Sequence, residues 1–152
     1  MIVLDQKIRL ADRDDSRRVW EIRNDPGVRV VSANSQEFSF DSHDVWFESK
    51  YFSEGSNYCY VLEVSKTVCG YCRLDFDQEK KWYVVSIALD PKFHGQGLGQ
   101  YLLAETIKEF DHRGLIFAEI KKTNTPSLKL FEKNNFKIFD EDENNFYLTY
   151  GK

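Results

Sequence analysis

Cysteine, proline and histidine are scarce in this sequence: each occurs only three times in 152 residues. So few cysteines exclude a disulfide-stapled fold and fit a reducing compartment. No apolar run approaches the roughly 20 residues that a membrane-spanning helix needs, and the first residues lack a signal-peptide core. We therefore expect a cytoplasmic protein with no membrane partner.

An excess of charge of one sign is also absent, since 21 basic residues and 25 acidic ones leave a net charge of −4. No basic cluster interleaves with aromatic residues, which argues against nucleic acid as a partner. The chain is 41% hydrophobic and 15% aromatic, which is too apolar for disorder. Its length predicts a single domain over residues 1–152.

The pair Cys69 and Cys72 has the Cys-x-x-Cys spacing of some redox and zinc sites. No second cysteine pair exists, and the histidines at 43, 94 and 112 have no ligand spacing to it. The surrounding residues read as a strand, on which positions 69 and 72 would point to opposite faces. We therefore expect no metal site and no redox role here.

The glycine-rich segment Phe93-His94-Gly95-Gln96-Gly97-Leu98-Gly99 is the most informative feature present. It follows an apolar run that ends at Asp90-Pro91, and it opens an amphipathic stretch over 96–110. A strand, a glycine turn and a helix in this order present free N–H groups and the positive end of a helix dipole to a phosphate. Gln100-Tyr101 stands where a P-loop needs Lys-Ser/Thr, and Gly-x-Gly-x-Gly is not the dinucleotide fingerprint. The segment predicts a site for the phosphates of a nucleotide-type cofactor.

Hydrophobic periodicity predicts strands alternating with helices, which indicates an α/β or α+β fold. The predicted strands are 7–10, 58–64, 68–75, 82–89, 115–120, 137–139 and 146–150. The predicted helices are 16–23 with Asp14 or Asp15 as cap, one that Asp41 or Ser42 caps, 96–110, and one that Thr125 caps. A loop is predicted between Gly27 and Ser39.

Two segments together resemble the GNAT acetyltransferase superfamily. His94-Gly95-Gln96-Gly97-Leu98-Gly99 is similar to its coenzyme A signature, Arg/Gln-x-x-Gly-x-Gly/Ala. Asn124-Thr-Pro-Ser127-Leu-Lys-Leu-Phe131-Glu-Lys-Asn-Asn135-Phe136 is similar to its Asn-x-x-Ala-x-x-Phe-Tyr-Glu-Lys-x-Gly-Phe segment. The resemblance covers roughly 58–150. It implies acetyl-CoA as cofactor and a GNAT fold, a central mixed, mostly antiparallel sheet of six or seven strands flanked by about four helices.

The resemblance also implies which residues bind the cofactor. They are the backbone of Ile87, Ala88 and Leu89, the turn residues His94, Gly95, Gln96, Gly97, Leu98, Gly99 and Gln100, and Asn124, Ser127 and Phe131. His94 stands where the family has Arg or Gln. Phe131 stands where it usually has the tyrosine whose hydroxyl lies near the cofactor sulfur. A protein that binds acetyl-CoA without turnover is therefore an alternative to an active enzyme.

A base must take a proton from the acceptor amine, and Tyr83 occupies the position where some family members have a glutamate. Glu119 is the first candidate, because a carboxylate in an apolar strand is costly unless it is used or paired. His43 is the second, since its pKa suits proton transfer near neutrality. Asp75 is the third.

The first half of the chain carries the acceptor site in this superfamily. Here Trp20-Glu-Ile-Arg23-Asn24-Asp25-Pro26 and His43-Asp-Val-Trp46-Phe47 resemble the N-acetyltransferases of nucleotide-linked amino sugars, including the pseudaminic-acid pathway branch. The implied reaction is direct acetyl transfer to a primary amine of such a sugar. Arginine side chains would bind the diphosphate of the sugar nucleotide. The candidate acceptor-binding residues are Arg23, Asn24, Arg29, Trp46, Arg73 and Asp75. Ribosomal-protein N-terminal acetyltransferases share the Asn-Asp-Pro opening and are the alternative. A homodimer is one option for the oligomeric state, which the sequence leaves open.

Overall fold

The computed structural model describes residues 5–32, 36–53, 55–110 and 113–151. The strands in these ranges are β1 (Gln6–Leu10), β2 (Tyr58–Val64), β3 (Thr67–Asp77), β4 (Trp82–Leu89), β5 (Ile116–Lys121), β6 (Phe136–Glu141) and β7 (Asn145–Tyr150). The α-helices are α1 (Ser16–Arg23), α2 (Pro26–Arg29), α3 (Phe40–Tyr51), α4 (Leu98–Phe110) and α5 (Thr125–Lys133). Short 3₁₀ turns cover Arg13–Asp15 and Pro91–Phe93. None of the described helices is long and apolar enough to cross a membrane.

The seven strands form one sheet in the order β1-β2-β3-β4-β5-β7-β6. Every neighbouring pair is antiparallel except β4 and β5, which run parallel. This confirms the expected mixed, mostly antiparallel sheet. The helix that the sequence did not predict is α2, in the segment predicted as a loop. Asp25 caps it by accepting a hydrogen bond from the Gly27 N–H, and Pro26 occupies its first turn.

The sheet opens between β4 and β5. Along its other edge β4 pairs with β3 over its whole length, from Gly70 with Leu89 to Asp77 with Trp82. Towards β5 it pairs only at the start, where Tyr83 faces Ile116 and Val84 faces Phe117. Beyond that point the strands diverge, so the β5-facing backbone groups of 85–89 are left without a ladder partner. Apart from the Leu89 carbonyl, which accepts from Nε2 of His94, these groups are available to a ligand.

Helices cover both faces of the sheet. On one face α4 packs Leu102, Leu103 and Phe110, all fully buried, and α5 contributes Phe131. On the other face α1 and α3 pack Val19, Ile22 and Phe47 against β2 and β3. The two apolar clusters place the cofactor turn and the predicted acceptor residues on opposite sides of the sheet opening.

The helix starts differ from the predicted caps. The cap of α3 is Ser39, whose side chain accepts a hydrogen bond from the Ser42 N–H at 3.1 Å, so the predictions of Asp41 and Ser42 were wrong. The cap of α5 is Asn124, one residue before the predicted Thr125. In both cases a polar residue just before the predicted cap is the last one outside the helical conformation, and its oxygen reaches a free N–H of the first turn.

The prediction that the side chain of Asp14 or Asp15 caps α1 is also wrong. Asp15 stands at the cap position but makes no side-chain cap bond there. Its carboxylate instead accepts from the Asp12 N–H and from both terminal nitrogens of Arg9. A charged partner on β1 therefore takes the carboxylate, because a charge-assisted pair is stronger than a cap to a neutral N–H.

The expectation that Cys69 and Cys72 face opposite sides is wrong. The β2–β3 register shifts so that Gly70 pairs with Leu62 while Val68 pairs with Glu63, which leaves Cys69 as an extra bulge residue. Both cysteines therefore point into the same apolar cluster and are buried as free thiols. Burial raises the pKa of Cys72 to about 12, which keeps it protonated and unreactive. Among the described residues no His, Cys, Asp or Glu cluster could hold a metal ion.

Candidate active site

A cavity of about 660 Å³ lies where β4 and β5 separate. The glycine turn and α5 form one side of it, and α1, α2 and β3 form the other. The sequence-predicted residues that line it are Arg23, Arg73, Ile87, Ala88, Leu89, His94, Gly95, Gly99, Glu119, Asn124, Ser127 and Phe131. Residues from both halves of the chain, predicted separately as cofactor and acceptor sites, thus meet at one opening.

The glycine turn forms an open cradle in front of α4. Gly95 and Gly97 have φ values of 77° and 76°, a left-handed conformation that glycine adopts without strain. A Cβ added at either position would meet nothing within 4 Å, so the space in front of the turn is free. Because α4 begins at Leu98, its first N–H groups and the positive end of its dipole lie beside this space. These features fit the phosphates of acetyl-CoA.

Two other parts of the cofactor half hold the cradle in shape. The ring Nε2 of His94 lies 3.2 Å from the carbonyl oxygen of Leu89, to which it donates, and this bond ties the turn back to β4. On α5, the Asn124 side chain accepts from the Ser127 N–H at 3.3 Å. Through these contacts His94 and Asn124 stabilise the turn and the start of α5 at the edge of the cavity.

Phe131 lies in the cavity wall where the family usually has tyrosine. Its side chain is 2% exposed and packs edge to face on Phe136, with ring centroids 4.9 Å apart. This ring has no proton to give to a departing thiolate. Three hydroxyl-bearing residues that the sequence did not predict, Ser32, Tyr71 and Ser86, also line the cavity. Tyr71 follows from the period-2 rule, because it stands two residues before the predicted Arg73 on the same strand face.

Arg73 enters the acceptor half of the cavity from β3 with a carboxylate partner. Its Nη1 lies 3.1 Å from Oδ2 of Asp75 and 3.4 Å from the hydroxyl of Tyr51, which in turn donates to Asp75 at 2.6 Å. Its Nε is buried and has no hydrogen-bond partner among the described residues. Despite the burial, Tyr51 and Asp75 raise the pKa of Arg73 above its ordinary value. Arg73 is thus a fixed cation whose buried Nε donor is unused.

Arg23 enters the same half from the end of α1. Its guanidinium carbon lies 4.1 Å from the ring centre of Phe38 and 4.0 Å from that of Trp46. No carboxylate within the described ranges forms an ion pair with it. Burial and the positive charge of Arg73 lower the pKa of Arg23. The acceptor half therefore holds two neighbouring cations and only one counter-charge.

Glu119 presents an exposed carboxylate to the cavity from β5. It stands on the strand face away from the buried Ala118 and Ile120, opposite Tyr147 of β7. The carboxylate is thus solvated although β5 is an inner strand of the sheet, and it lies at the cavity. Glu119 is the candidate base that the structure brings to the site.

The structure does not bring His43 to the cavity. The imidazole is 1% exposed and stacks on Phe47 at 5.5 Å with an angle of 20° between the rings. Its Nδ1 lies 3.3 Å from Nη1 of Arg23. Burial and the charge of Arg23 lower its pKa to about 4, so the ring is neutral at physiological pH. His43 has no path to an amine bound in the cavity, and direct proton transfer to it does not fit this placement.

The remaining predicted acceptor residues stand behind the cavity wall. Trp46 covers one face of Arg23 and lies 5.2 Å from the guanidinium of Arg73, which Asp75 holds. Asn24 accepts from the Phe38 N–H through its side chain, and its carbonyl accepts from Nε of Arg29. These residues support the cations of the site or shape the loop around them.

Some predicted cofactor residues also lie outside the cavity lining. Leu98 is 2% exposed because its side chain belongs to the core. Gln100 exchanges side-chain hydrogen bonds with Asn134, which joins α4 to the end of α5. Gln96 and Gly97 belong to the exposed turn without lining the cavity itself. Their roles in cofactor binding, through backbone N–H groups, stay predictions.

Comparison with known proteins agrees with this fold and site. Residues 16–136 match the Acetyltransferase (GNAT) family. The Bacillus subtilis (strain 168) protein YwnH, which bears the name of a phosphinothricin acetyltransferase, is 32% identical over 138 residues, 85% of this chain and 82% of that protein.

Solved structures share the architecture. The Salmonella typhimurium protein yncA, solved with its cofactor acetyl-CoA, is 22% identical with a TM-score of 0.81, over 95% of this chain and 92% of that one. A structure named for phosphinothricin N-acetylation is 26% identical with a TM-score of 0.80, over 95% and 97% of the two chains.

The chain therefore belongs to the GNAT acetyltransferase family. It is an acetyl-CoA-dependent N-acetyltransferase, and acetyl-CoA supplies the acetyl group. The subtype that the sequence suggested, specific for nucleotide-linked amino sugars, is not confirmed by these relatives.

Proposed function

We propose that this enzyme acetylates the primary amine of a small acceptor that carries an anionic group. The observation behind this proposal is the pairing of Arg23 and Arg73, two neighbouring cavity-lining cations of which only Arg73 forms an ion pair with a carboxylate among the described residues. A partly buried cation without a counter-ion is costly, and an anionic ligand removes that cost when it binds. A guanidinium also offers a planar fork that suits carboxylate and phosphate oxygens.

Two acceptor classes fit this requirement. A nucleotide-linked amino sugar would bring a diphosphate to the arginines, and it is the class that the first half of the sequence suggests. Phosphinothricin, an amino acid with acid groups that are ionised at neutral pH, is favoured by the names of YwnH and of the 26% identical structure. The basic tail of a ribosomal protein fits less well, because two arginines at the acceptor side would repel it.

The residues of the cavity supply the proton transfers that the reaction needs. The acceptor nitrogen must be neutral to attack the acetyl carbonyl, so a base has to take its proton, and Glu119 is the exposed carboxylate at the cavity. The unpaired backbone of 85–89 offers N–H groups that can orient a carbonyl oxygen and stabilise the charge it gains. A direct transfer of this kind needs no nucleophile from the protein.

The proton for the departing thiolate is assigned to Tyr71. Phe131 cannot give one, whereas the phenol of Tyr71 lines the other side of the same cavity, on β3 opposite Ala88. Burial raises the pKa of Tyr71, so its hydroxyl carries its proton at neutral pH but gives it up less readily than a free phenol does. A thiolate is a good leaving group and needs only modest help, so loss of this donor should slow the reaction without abolishing it.

An acceptor panel tests the proposal. Free thiol release from acetyl-CoA is measured with a nucleotide-linked amino sugar, phosphinothricin, an alanine-initiated basic peptide and an uncharged primary amine of matched size. We expect turnover with one of the two anionic acceptors, and a KM for it that rises at least tenfold in the variant Arg23→Gln, since the anchoring charge is lost. Equal use of the uncharged amine, or an unchanged KM in Arg23→Gln, would contradict the proposal.

A further inference from the structure

We propose that His43 is a positioning residue, which holds the guanidinium of Arg23 in the orientation that receives the acceptor's anionic group. This inference rests on the proposed function, in which Arg23 is an anchor of the acceptor. It gives the buried imidazole a role that does not require contact with the reacting atoms.

His43 contacts the edge of the Arg23 guanidinium, where the N–H donors lie. The rings of Phe38 and Trp46 stack on the guanidinium, with ring centres 4.1 and 4.0 Å from its central carbon, and its N–H donors point outward along its edge. On that edge Nη1 lies 3.3 Å from Nδ1 of His43. Two rings fix the plane of the group, and a hydrogen bond to His43 fixes its rotation within that plane.

The bond defines the state of the imidazole. A guanidinium has donors and no acceptor, so a hydrogen bond from Arg23 requires Nδ1 of His43 to offer its lone pair and Nε2 to carry the proton. In that tautomer the buried Nε2–H has no hydrogen-bond partner among the described residues, so the bond to Arg23 is what selects it. The low pKa of the buried ring is consistent with this neutral form. A protonated ring would place a second positive charge beside Arg23, with Arg73 of β3 as a further cation and Asp44 of α3 as the nearby anion.

The ring itself is locked in place by packing. His43 stacks on Phe47, lies 5.5 Å from the ring centre of Trp46, and lies 6.4 Å from that of Phe40. These contacts leave the imidazole almost without exposed surface. If His43 only packs, any aromatic ring can replace it. A variant that keeps the ring but lacks the acceptor, and a variant that keeps an acceptor but lacks the ring, therefore separate packing from hydrogen bonding.

Two variants provide that contrast. His43→Phe keeps the aromatic stack and removes the acceptor, while His43→Asn removes the ring and keeps an acceptor near the place of Nδ1. We expect His43→Phe to raise the acceptor KM by roughly three- to tenfold, as for a lost hydrogen bond to a charged group, with kcat and the acetyl-CoA Kd nearly unchanged. His43→Asn should restore the KM to within about twofold of the wild type.

The variants also distinguish positioning from proton transfer. A general base would lose roughly 10²–10⁴-fold in kcat in both variants, and such a loss would overturn the inference. An unchanged KM in His43→Phe, together with an unchanged rotation rate of the Arg23 guanidinium, would overturn it in favour of packing alone. In an Arg23→Gln background, His43→Phe should have no further effect on KM, because the group it positions is gone.

A nitrogen NMR spectrum of the protein without acceptor tests the inference independently of the acceptor's identity. In the wild type we expect His43 to carry its proton on Nε2 and rotation of the Arg23 guanidinium to be slow. In His43→Phe that rotation should become faster. The opposite tautomer in the wild type would overturn the inference even if His43→Phe failed to fold. Faster rotation with no change in acceptor KM would instead contradict Arg23 as the acceptor anchor, and hence the proposed function.

Discussion

At the scale of single residues, the two arginines of the acceptor half differ in what they can give to a ligand. Arg73 is tied to Asp75 and Tyr51, so much of its hydrogen-bonding capacity is spent within the protein. Arg23 is held by ring faces and one neutral nitrogen, none of which cancels its charge. Arg73 therefore contributes a fixed positive charge to the site, and Arg23 supplies the positive charge that an anionic acceptor would neutralise.

Glu119 gives the first prediction at this scale. Glu119→Gln keeps the size of the side chain and removes the charge that accepts a proton. We expect kcat to fall by roughly 10²–10⁴-fold with little change in acetyl-CoA binding, measured by single-turnover kinetics and calorimetry. Glu132→Gln, at an exposed position of α5 outside the cavity lining, is the matched control and should retain full activity. A loss below tenfold in Glu119→Gln would mean that the amine enters neutral or that water carries the proton.

The leaving group gives the second prediction. Tyr71→Phe removes the proposed donor, and we expect kcat to fall by up to roughly 10²-fold with a smaller loss when the acyl donor has a more acidic thiol. Adding Phe131→Tyr places a phenol on the other side of the same cavity, and activity should rise towards the wild type if the hydroxyl alone is missing. Full activity in Tyr71→Phe would show that water protonates the thiolate.

The depressed pKa of His43 predicts a pH dependence of stability. Its folded pKa of about 4 lies below the unfolded value of about 6.5, so the unfolded chain binds the proton more strongly. The stability that the neutral ring contributes is complete above pH 6.5 and is lost as the pH falls towards 4. Urea unfolding between pH 7 and 4 should show a smaller loss of stability in His43→Asn, which cannot titrate. Parallel curves for the two proteins would show that His43 is not buried in the neutral form.

At the scale of elements, the cofactor half could be predicted from the sequence because its chemistry is local. One turn and the helix after it contain the glycines, and one helix start contains Asn124 and Ser127. The acceptor half is not local. Arg23 ends α1 and Arg73 lies fifty residues later on β3, so their meeting depends on the packing of α1 and α3 against the sheet. Tyr71 was within reach of the sequence, since it lies two residues before Arg73 on the same strand face, whereas the burial of His43 depends on the packing of α3 and could not be predicted from its residue type.

The glycine turn gives the prediction at this scale. Gly95→Asn places a side chain in the free space of the cradle, and asparagine tolerates the left-handed conformation better than other residues with a Cβ. We expect the apo protein to stay folded and the melting-temperature rise caused by acetyl-CoA to shrink or vanish. Gly55→Asn, in an exposed loop, should keep the full rise. An equal rise in both variants would contradict the cradle as the phosphate site.

At the scale of the whole molecule, two halves with separate apolar cores meet at the sheet opening, and the side chain of Arg18 links them. Arg18 of α1 donates through Nε to the carbonyl of Val68 at 2.8 Å and through Nη2 to Asp90 at 2.9 Å. Asp90 also accepts from the Lys92 N–H, just before the glycine turn. Burial alone would raise the pKa of Asp90, but the Lys92 N–H and Arg18 outweigh it and lower that pKa. The start of the cofactor cradle is thus anchored to the acceptor-side helix.

Arg18→Gln tests whether this connection matters for binding. Removing the guanidinium leaves a partly buried Asp90 without its ion pair, so the melting temperature should fall by a few degrees and the acetyl-CoA Kd should rise severalfold. Arg13→Gln is the control, because Arg13 and Glu48 form an ion pair with both side chains more than half exposed, which contributes little. A lower melting temperature with an unchanged Kd would show that Arg18 stabilises the fold but does not shape the cradle, since a displaced turn must weaken the binding of phosphates in front of α4.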